Sequence, residues 1–310
     1  MTRDQDVEIR VRIGDLELPN PIVAASGTFG HGDELARLCD PAELGAVTVK
    51  SLAPFAWAGN PSPRLHATAA GMLNSVGLQG PGIERWIDDD LPRLRARRAR
   101  VIASLWGRTV DDFATGAKML ARAVHDLTAI EVNVSCPNLH RDAQPFAHDP
   151  EQTARAVAAV VDADLDRPVL AKLSPDVTEV RPIAGAALDA GATGLTLVNT
   201  VRGLIIDAET GRPRLGAGAG GLSGSAIKPV ALRVVHEVAG AYPDVPIVGT
   251  GGVTSGIDAV EMLLAGATAV GVGTAIFEDP RAPLRVLDEL VAWCASHDVG
   301  RVSDLVGTLH

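Results

Sequence analysis

Short apolar segments alternate with longer helical segments along almost the whole chain, and this alternation constrains the fold more than any other feature. Eight of the short segments are rich in Val, Ile, Leu and Ala. They are Ile22–Ala25, Ala46–Lys50, Val101–Leu105, Ala129–Val134, Val169–Leu173, Gly194–Asn199, Pro246–Gly249 and Ala269–Gly273. Strands that alternate with helices predict a parallel sheet, because each helix carries the chain back to the edge where the next strand starts.

The predicted fold class is therefore α/β, with a sheet that is either doubly wound or closed. Eight units in 310 residues match the usual size of a (β/α)8 TIM barrel, and strands that are apolar on both faces suit it. The segment Val7–Pro19 alternates apolar and charged residues around Gly14-Asp15, which predicts an N-terminal β-hairpin that closes one end of the barrel. No linker divides the sequence, so residues 1–310 are predicted to form one domain.

The helical segments have recognisable ends. They are predicted over Val110–Asp126, Pro150–Asp164, Thr178–Ala190, Ala226–Ala241 and Gly256–Ala265. Thr109 and Asp149 are suited to cap the first two helices. Ala-Gly-Ala at 190–192 and 265–267 puts a glycine just past two helix ends.

The charge balance disfavours nucleic acid binding. Lys and Arg number 28 against 38 Asp and Glu, a formal net charge of −10, whereas phosphate contacts need a basic surface. The basic run from Arg93 to Arg100 is interpreted as a solvated helix end. No apolar run approaches the ~18 residues that cross a bilayer, and the charged N-terminus is unlike a signal peptide.

Three cysteines, Cys39, Cys136 and Cys294, are too few and too widely spaced for a disulfide framework and favour a reducing compartment. No Cys/His cluster indicates a metal site. The sequence thus predicts a cytoplasmic protein with no membrane contact and no bound metal.

Small polar residues follow the predicted strands at the end where such barrels place their active sites. The last two strands lead into glycine-rich turns, Gly249–Gly252 and Gly271–Thr274. Glycine lets backbone N–H groups approach an anion closely. Two successive loops in this position favour phosphate binding over tight turns alone.

Lys50 and Lys172 lie within otherwise apolar predicted strands. A buried lysine is costly unless it meets negative charge. The two cations can face an anionic ligand or a developing negative charge, or they can pair with an internal carboxylate, for which Glu131 is the main candidate. Few carboxylates lie at the strand ends, so we favour the ligand.

Cys136 follows a strand and precedes proline in a polar segment, whereas a structural cysteine more often lies among apolar residues. A functional thiol here would be a nucleophile or a general base. No histidine stands beside it; His140 and His148 lie in the following loop. A thiol that loses its proton near neutral pH can act as a base without forming a covalent intermediate.

Several motifs follow one another in a fixed order. They are Asn133–Asn138 (NVSCPN), Gly71–Gln79 (GMLNSVGLQ), Lys172–Pro175 (KLSP), Gly220–Gly224 (GGLSG) and the two glycine-rich turns. Together they resemble the class 1 dihydroorotate dehydrogenases from about Val7 to Phe277. Gly59–Arg64 and Asn199–Gly203 resemble the class 1B branch, whose members use NAD through an accessory iron–sulfur flavoprotein.

The resemblance implies an FMN-binding barrel that oxidises (S)-dihydroorotate to orotate in de novo pyrimidine biosynthesis. In such enzymes a base takes the C5 proton while hydride passes from C6 to N5 of FMN, and the resemblance assigns the base to Cys136. It implies that Cys136–His148 closes over the substrate and excludes water. It also implies a homodimer, and a heterotetramer with a partner subunit that carries FAD and a 2Fe–2S cluster, since this chain has neither the cysteine cluster nor a nucleotide fingerprint.

The family's ligand contacts carry over onto residues of the matching motifs. Substrate contacts fall on Lys50, Asn74, Val76, Gly77, Leu78, Asn133, Asn138, Asn199 and Thr200. FMN contacts fall on Ser26, Lys50, Ser51, Ser104, Asn133, Lys172, Val198, Gly224, Gly251, Gly252, Gly273 and Thr274. Asparagine amides suit the alternating N–H and C=O edge of a pyrimidine, and a lysine can pair with the orotate carboxylate. The resemblance implies that Lys172 stabilises negative charge near N1 and O2 of the reduced flavin.

Ser104 departs from the family, which usually has asparagine at the end of this strand. The run here is Ala103–Gly107 (ASLWG), where the family has a pattern like Ala-Asn-Val-Ala-Gly. Serine is shorter and has no amide, although a water can fill the gap in a polar site. We predict a slightly altered flavin contact, which an unchanged flavin affinity in Ser104→Asn would contradict.

Three alternatives stay open. An FMN enzyme of the dihydropyrimidine dehydrogenase type has the same barrel and a similar Ser-Cys-Pro motif, but it needs no lysine for a carboxylate. A class 1A enzyme passes electrons directly to fumarate. A non-catalytic FMN-binding or assembly subunit would keep the phosphate loops and could lose Cys136.

Overall fold

Eight parallel strands close into a barrel in the computed structural model, which describes residues 7–135 and 146–309. The barrel strands are β1 (Ile22–Ala24), β2 (Ala46–Thr48), β3 (Val101–Leu105), β4 (Leu127–Asn133), β5 (Val169–Leu173), β6 (Gly194–Leu197), β7 (Ile247–Thr250) and β8 (Ala269–Val272). Each strand pairs with its neighbours in chain order, and β8 pairs with β1. The predicted closed barrel is therefore confirmed, and the doubly wound alternative is wrong.

Helices cover the outside of the barrel. They are α1 (Ile83–Asp89), α2 (Leu91–Ala96), α3 (Val110–Leu120), α4 (Pro150–Val161), α5 (Arg181–Asp189), α6 (Lys228–Ala241), α7 (Gly256–Leu264), α8 (Ala275–Glu278) and α9 (Ala282–Ser296). The third helix ends earlier than predicted, because the chain tightens into a 3₁₀ helix over Ala121–Asp126. Residues 25–45 between β1 and β2, all of them described, form turns instead of an α-helix.

The predicted caps of two helices and the glycines predicted to follow two others are confirmed. Thr109 caps α3 in a capping box with Asp112, and Asp149 caps α4 by accepting two backbone N–H groups. Gly191 and Gly266 follow α5 and α7 with φ of +98° and +114°, the left-handed conformation that ends helices. The exposed side chains of Arg93 and Arg95 lie in the last turn of α2, as predicted for a solvated helix end.

The N-terminal hairpin is also confirmed. Strands Val11–Ile13 and Leu16–Leu18 pair antiparallel around Gly14-Asp15, and Gly14 has a φ of +59°. Ile13 and Leu18 are buried. The turn borders a cleft beside the first residues of β4 and β5, so the hairpin lies at the amino end of the barrel.

A second sheet stands at the carboxyl end of the barrel and has no counterpart in the sequence prediction. Its four antiparallel strands occur in the order Val201–Gly203, Gly220–Ser223, Gly71–Asn74, Leu65–Thr68. Two of them come from the connection after β2 and two from the connection after β6. This pairing brings two distant parts of the chain together beside the strand ends.

The core fills the barrel and the space between the barrel and its helices. Every residue of β3 and β5 is buried, as expected of strands that are covered on both faces. Within the described residues, none of the helices combines the length and the apolar character that crossing a bilayer requires.

Candidate active site

A cavity opens at the carboxyl ends of the barrel strands and encloses about 1110 Å³ of empty space, including the part that is open to solvent. Its lining includes most residues that the sequence analysis selected. These are Ser26, Lys50, Ser51, Asn74, Val76, Gly77, Leu78, Asn133, Lys172, Val198, Asn199, Thr200, Gly224, Gly251, Gly252, Gly273 and Thr274. Cys136 and Asn138 lie outside the described residues. Ser104 does not line the cavity.

Hydrogen bonds connect the amides and hydroxyls of the cavity wall. Asn133 donates through Nδ2 to Ser51 Oγ at 3.0 Å, and its Oδ1 accepts from Ser135 Oγ at 3.0 Å. Asn199 donates through Nδ2 to Ser135 Oγ at 2.7 Å, and its Oδ1 accepts the backbone N–H of Thr200 at 2.8 Å. The ends of β2, β4 and β6 thus hold one another's side chains in place.

Ser104 lies behind this wall. Its side chain is fully buried, and its hydroxyl donates to Glu131 Oε1 at 3.0 Å and lies 2.9 Å from Ser51 Oγ. Ser104 therefore reaches the cavity lining through Ser51, and its contact with a flavin stays a prediction. The physical reason is strand alternation, because Ser104 points into the barrel one layer below the strand ends.

Lys172 faces both a carboxylate and the cavity. Its Nζ lies 3.9 Å from Oε1 of Glu131, and both side chains are buried. The ion pair with Glu131, which the sequence analysis considered but favoured less than an anionic ligand, is therefore present. Because Lys172 also lines the cavity, the ion pair and the position toward a ligand occur together.

The Val76–Leu78 loop has its shape fixed by backbone contacts. Gly77 has a φ of +72°, and a Cβ there would lie 2.5 Å from Cγ of Asn60, so only glycine fits. Trp57 donates through Nε1 to the Gly77 carbonyl at 3.0 Å. Asn74, at the end of its strand, donates to the Gly221 carbonyl at 3.2 Å. The second sheet thereby presents Asn74 and the loop to the cavity.

The glycine turns form a close-fitting cradle at the other side of the cavity. Gly252 has a φ of +80°, and a Cβ there would lie 2.8 Å from the backbone nitrogen of Lys228, the first residue of α6. The turn after β7 thus lies directly against the start of a 14-residue helix. The Lys228 N–H donates to the Ser225 carbonyl and Pro229 has no N–H, so the glycine turns themselves are the candidate N–H donors. With Gly273 and Thr274 after β8, this donor set fits a phosphate group.

Asp258 holds the turn that follows this cradle. Its carboxylate accepts from Lys228 Nζ at 2.6 Å, from Thr254 N and Oγ1 at 2.8 Å, and from Ser255 N at 2.9 Å. Burial alone would raise the pKa of Asp258, but the hydrogen bonds from Lys228, Thr254 and Ser255 outweigh it and lower the pKa to about 2. The charged carboxylate is therefore the form that the fold stabilises.

Asp258→Asn is expected to destabilise the protein most above about pH 4 and least near pH 2. The folded-state pKa of about 2 lies below the ordinary value of 3.8, so this stabilisation is complete above the unfolded pKa and is lost as the pH falls through the folded one. Urea unfolding of both proteins across this range measures the difference. If the difference in the free energy of unfolding stayed constant with pH, the charge of Asp258 would not hold the turn. The control is Glu237→Gln, which removes one partner of an exposed ion pair with Arg233 and shows how acid affects the stability of the protein in general.

Sequence reasoning missed part of the lining. Met72 and Ser223 line the cavity and lie within motifs already identified, so their position in the motif was the available signal. Leu65 and Phe277 also line it, although they are 49% and 53% exposed. No sequence signal distinguishes these two from other apolar residues.

Two of the three thiols are unsuited to proton transfer. Cys39 and Cys294 are both fully buried. Burial raises the pKa of Cys39 to about 12 and also raises the pKa of Cys294. Both therefore stay protonated at neutral pH.

The chain was compared with known proteins. A model of the family described as "Dihydroorotate dehydrogenase" matches residues 8–293. A protein of Alkaliphilus metalliredigens named "Dihydroorotate dehydrogenase B (NAD(+)), catalytic subunit" is 44% identical over 306 residues, which cover 98% of this chain and 99% of that protein. A protein of Geobacter sp. (strain M21) with the same name is 43% identical over 98% of this chain and 99% of its own length. A protein of Solibacter usitatus, provisionally named as dihydroorotate dehydrogenase A (fumarate), is 45% identical over 97% of this chain and 98% of its own length.

Proposed function

Because the chain belongs to the dihydroorotate dehydrogenase family, we propose that it oxidises (S)-dihydroorotate to orotate in de novo pyrimidine biosynthesis, with FMN as its cofactor. The observation that carries the proposal is the composition of one cavity. Two lysines and three asparagines, Lys50, Lys172, Asn74, Asn133 and Asn199, line it together with the glycine cradle. That set suits an anionic pyrimidine beside a flavin phosphate, whereas uracil or thymine would need no cation for a carboxylate.

The chain's own residues bind and orient the substrate. Lys50 pairs with the substrate carboxylate, and the amides of Asn74, Asn133 and Asn199 hold the ring through its N–H and C=O groups. The hydrogen bonds of Asn133 and Asn199 to Ser135 keep these amides preorganised before substrate arrives. The further substrate contacts, Val76, Gly77, Leu78, Asn138 and Thr200, remain part of the proposal.

Cys136 is the proposed general base, which takes the proton from C5. It directly follows Ser135 in the sequence, and the Ser135 hydroxyl is hydrogen-bonded to two cavity residues, Asn133 and Asn199. The buried thiols Cys39 and Cys294 have raised pKa values and are poor candidates for this role.

The residues present fit FMN. Gly224, Gly251, Gly252, Gly273 and Thr274 would hold its phosphate, since they bring backbone N–H groups and a helix start together. Ser26, Ser51, Val198 and Lys172 would face the ring. When bound, FMN supplies the acceptor for the hydride that leaves C6.

We infer that electrons leave toward NAD through a partner subunit that carries FAD and a 2Fe–2S cluster. The printed names of the Alkaliphilus and Geobacter relatives support this, since both contain NAD(+) and "catalytic subunit". The Solibacter name contains fumarate instead, so direct transfer to fumarate is the alternative to test. A homodimer, a heterotetramer with the partner and a cytoplasmic location complete the proposal.

Anaerobic mixing of the FMN-loaded chain with dihydroorotate tests the function. The visible absorbance of the flavin should bleach rapidly, and dihydrouracil should bleach it far more slowly. Adding NAD with and without a co-purified partner, or fumarate, then identifies the acceptor. No bleaching by dihydroorotate in a chain that holds FMN would contradict the proposal.

Gly252→Ala is expected to weaken FMN binding about 10- to 100-fold, the equivalent of about 1–3 kcal/mol of backbone strain. The added Cβ must avoid the backbone of Lys228 at a positive φ, which moves the cradle. FMN titration followed by flavin fluorescence measures the change. Gly240→Ala is the matched control, because nothing lies within 4 Å of its Cβ on α6; equal affinities of the two variants would mean that the turn does not hold the phosphate.

A further inference from the structure

A relay of hydrogen bonds runs from the cavity wall into the barrel and ends on Glu131. Asn133 donates to Ser51 at 3.0 Å, Ser51 Oγ lies 2.9 Å from Ser104 Oγ, and Ser104 donates to Glu131 at 3.0 Å. Ser51, Ser104 and Glu131 are each at most 2% exposed. Glu131 does not line the cavity, although the other end of the relay does.

The protons of this relay can point in only one direction. Ser104 directs its single hydroxyl proton to Glu131 Oε1. Ser104 can then only accept from Ser51. Ser51 therefore donates its own proton to Ser104, and because one of its two lone pairs accepts from Asn133, it presents only its remaining lone pair to the cavity.

Ser26, which lies beside Ser51 on the cavity wall, also donates its hydroxyl proton to a protein acceptor. Its hydroxyl donates to the Val49 carbonyl at 2.8 Å, and its Oγ lies 3.4 Å from Ser51 Oγ. Because both hydroxyl protons are donated to protein atoms, Ser26 and Ser51 can only accept hydrogen bonds from a ligand in the cavity. A ligand edge that rests there must bring a donor such as a ring N–H.

Glu131 also sets the charge that faces the cavity. Its Oε1 lies 3.9 Å from Lys172 Nζ, and both groups are buried, so the two side chains form an ion pair inside the barrel. The carboxylate also offsets part of the field of that cation at the cavity. The same carboxylate thus acts on two groups that the ligand meets.

We propose that Glu131 is a positioning residue for the flavin site, acting through Ser104 on the hydrogen-bond polarity of Ser51 and through Lys172 on the charge that faces the cofactor. This inference rests on the proposed function, because it assumes that FMN occupies the cavity. Glu131 itself does not line the cavity and would touch neither cofactor nor substrate.

The reduction potential of bound FMN in Glu131→Gln tests the charge effect. Glutamine keeps the shape and an acceptor for Ser104 but removes the charge. At pH 7 and a fixed reference-dye potential, the ratio of reduced to oxidised FMN should rise about tenfold or more, since a nearby negative charge no longer opposes the negative reduced flavin.

The control is Glu237→Gln, which removes one partner of an exposed pair on α6 and should leave the potential unchanged. If bound FMN in Glu131→Gln had the wild-type reduction potential at pH 7, the proposal would be overturned. If, in addition, the wild-type chain binds FMN and dihydroorotate reduces that FMN, the proposed function stands while this inference fails. A wild-type chain that takes up no FMN would contradict both.

Ser104→Ala tests the hydrogen-bond relay separately. It also keeps the proposal testable if Glu131→Gln does not fold. It leaves the charges of Glu131 and Lys172 in place but frees the Ser51 proton. FMN should bind about five- to tenfold more weakly, as expected for one disturbed hydrogen bond, and its visible spectrum should shift. Thr193→Val removes a hydrogen-bonding hydroxyl at the amino end of the barrel and should change neither; wild-type affinity and spectrum in Ser104→Ala would refute the relay.

Discussion

Cys136→Ala is expected to slow the reduction of bound FMN by dihydroorotate about 10²- to 10⁴-fold, the usual effect of removing a general base. FMN binding should be unchanged, because the proposed phosphate and ring contacts lie on other residues. The wild-type rate should also rise with pH as the thiol loses its proton, and the variant should lose this dependence. Stopped-flow bleaching of the flavin across a pH series measures both effects.

Cys294→Ala is the matched control. It removes a thiol that is fully buried on α9, so it should leave the rate of bleaching unchanged. If Cys136→Ala bleached as fast as the wild type, Cys136 would not be the base, and the chain's role as a non-catalytic FMN subunit would have to be reconsidered. Loss of FMN from Cys136→Ala would instead indicate that the segment contributes to cofactor binding.

The barrel could be predicted because its signal is local. Each strand is a short apolar run that is buried on both faces, and β3 and β5 match their predicted bounds to the residue. The caps at Thr109 and Asp149 depend on residues within four positions of each other. Such features follow from sequence alone because their partners lie close in the chain.

The second sheet could not be predicted because its partners are far apart. Gly71–Asn74 pairs with Gly220–Ser223 across about 150 residues. Both strands have only four residues and begin with glycine, which weakens the strand signal. The motifs nevertheless identified Asn74, so its chemistry was found before its place in the fold.

The contact between Glu131 and Lys172 was also difficult to predict from the sequence, because it depends on strand register. In the register of β4 and β5, Asn133 is opposite Lys172 and Glu131 is opposite Leu170. Glu131 and Lys172 are thus two positions apart diagonally and on the same face. The sequence contains both charges, but a shift of one residue in register would separate them, and register depends on packing that sequence does not display.

Lys172→Met is expected to lower the free energy of unfolding of the FMN-free protein by about 3–5 kcal/mol, the usual cost of leaving a buried charge without its partner. Glu131 is 2% exposed and lies in the barrel interior, so water cannot replace the ammonium. Glu131→Gln should cost less, because Lys172 lines the open cavity and can be hydrated there. The double variant Lys172→Met/Glu131→Gln should recover most of the loss, since it leaves no buried charge.

Urea unfolding of the wild type, the two single variants and the double variant forms the complete thermodynamic cycle. Arg233→Met, which breaks an exposed pair with Glu237, should change the free energy of unfolding by less than about 1 kcal/mol. Additive effects of the two substitutions would mean that Glu131 and Lys172 do not interact, and the double variant would then be the least stable of the four proteins instead of recovering.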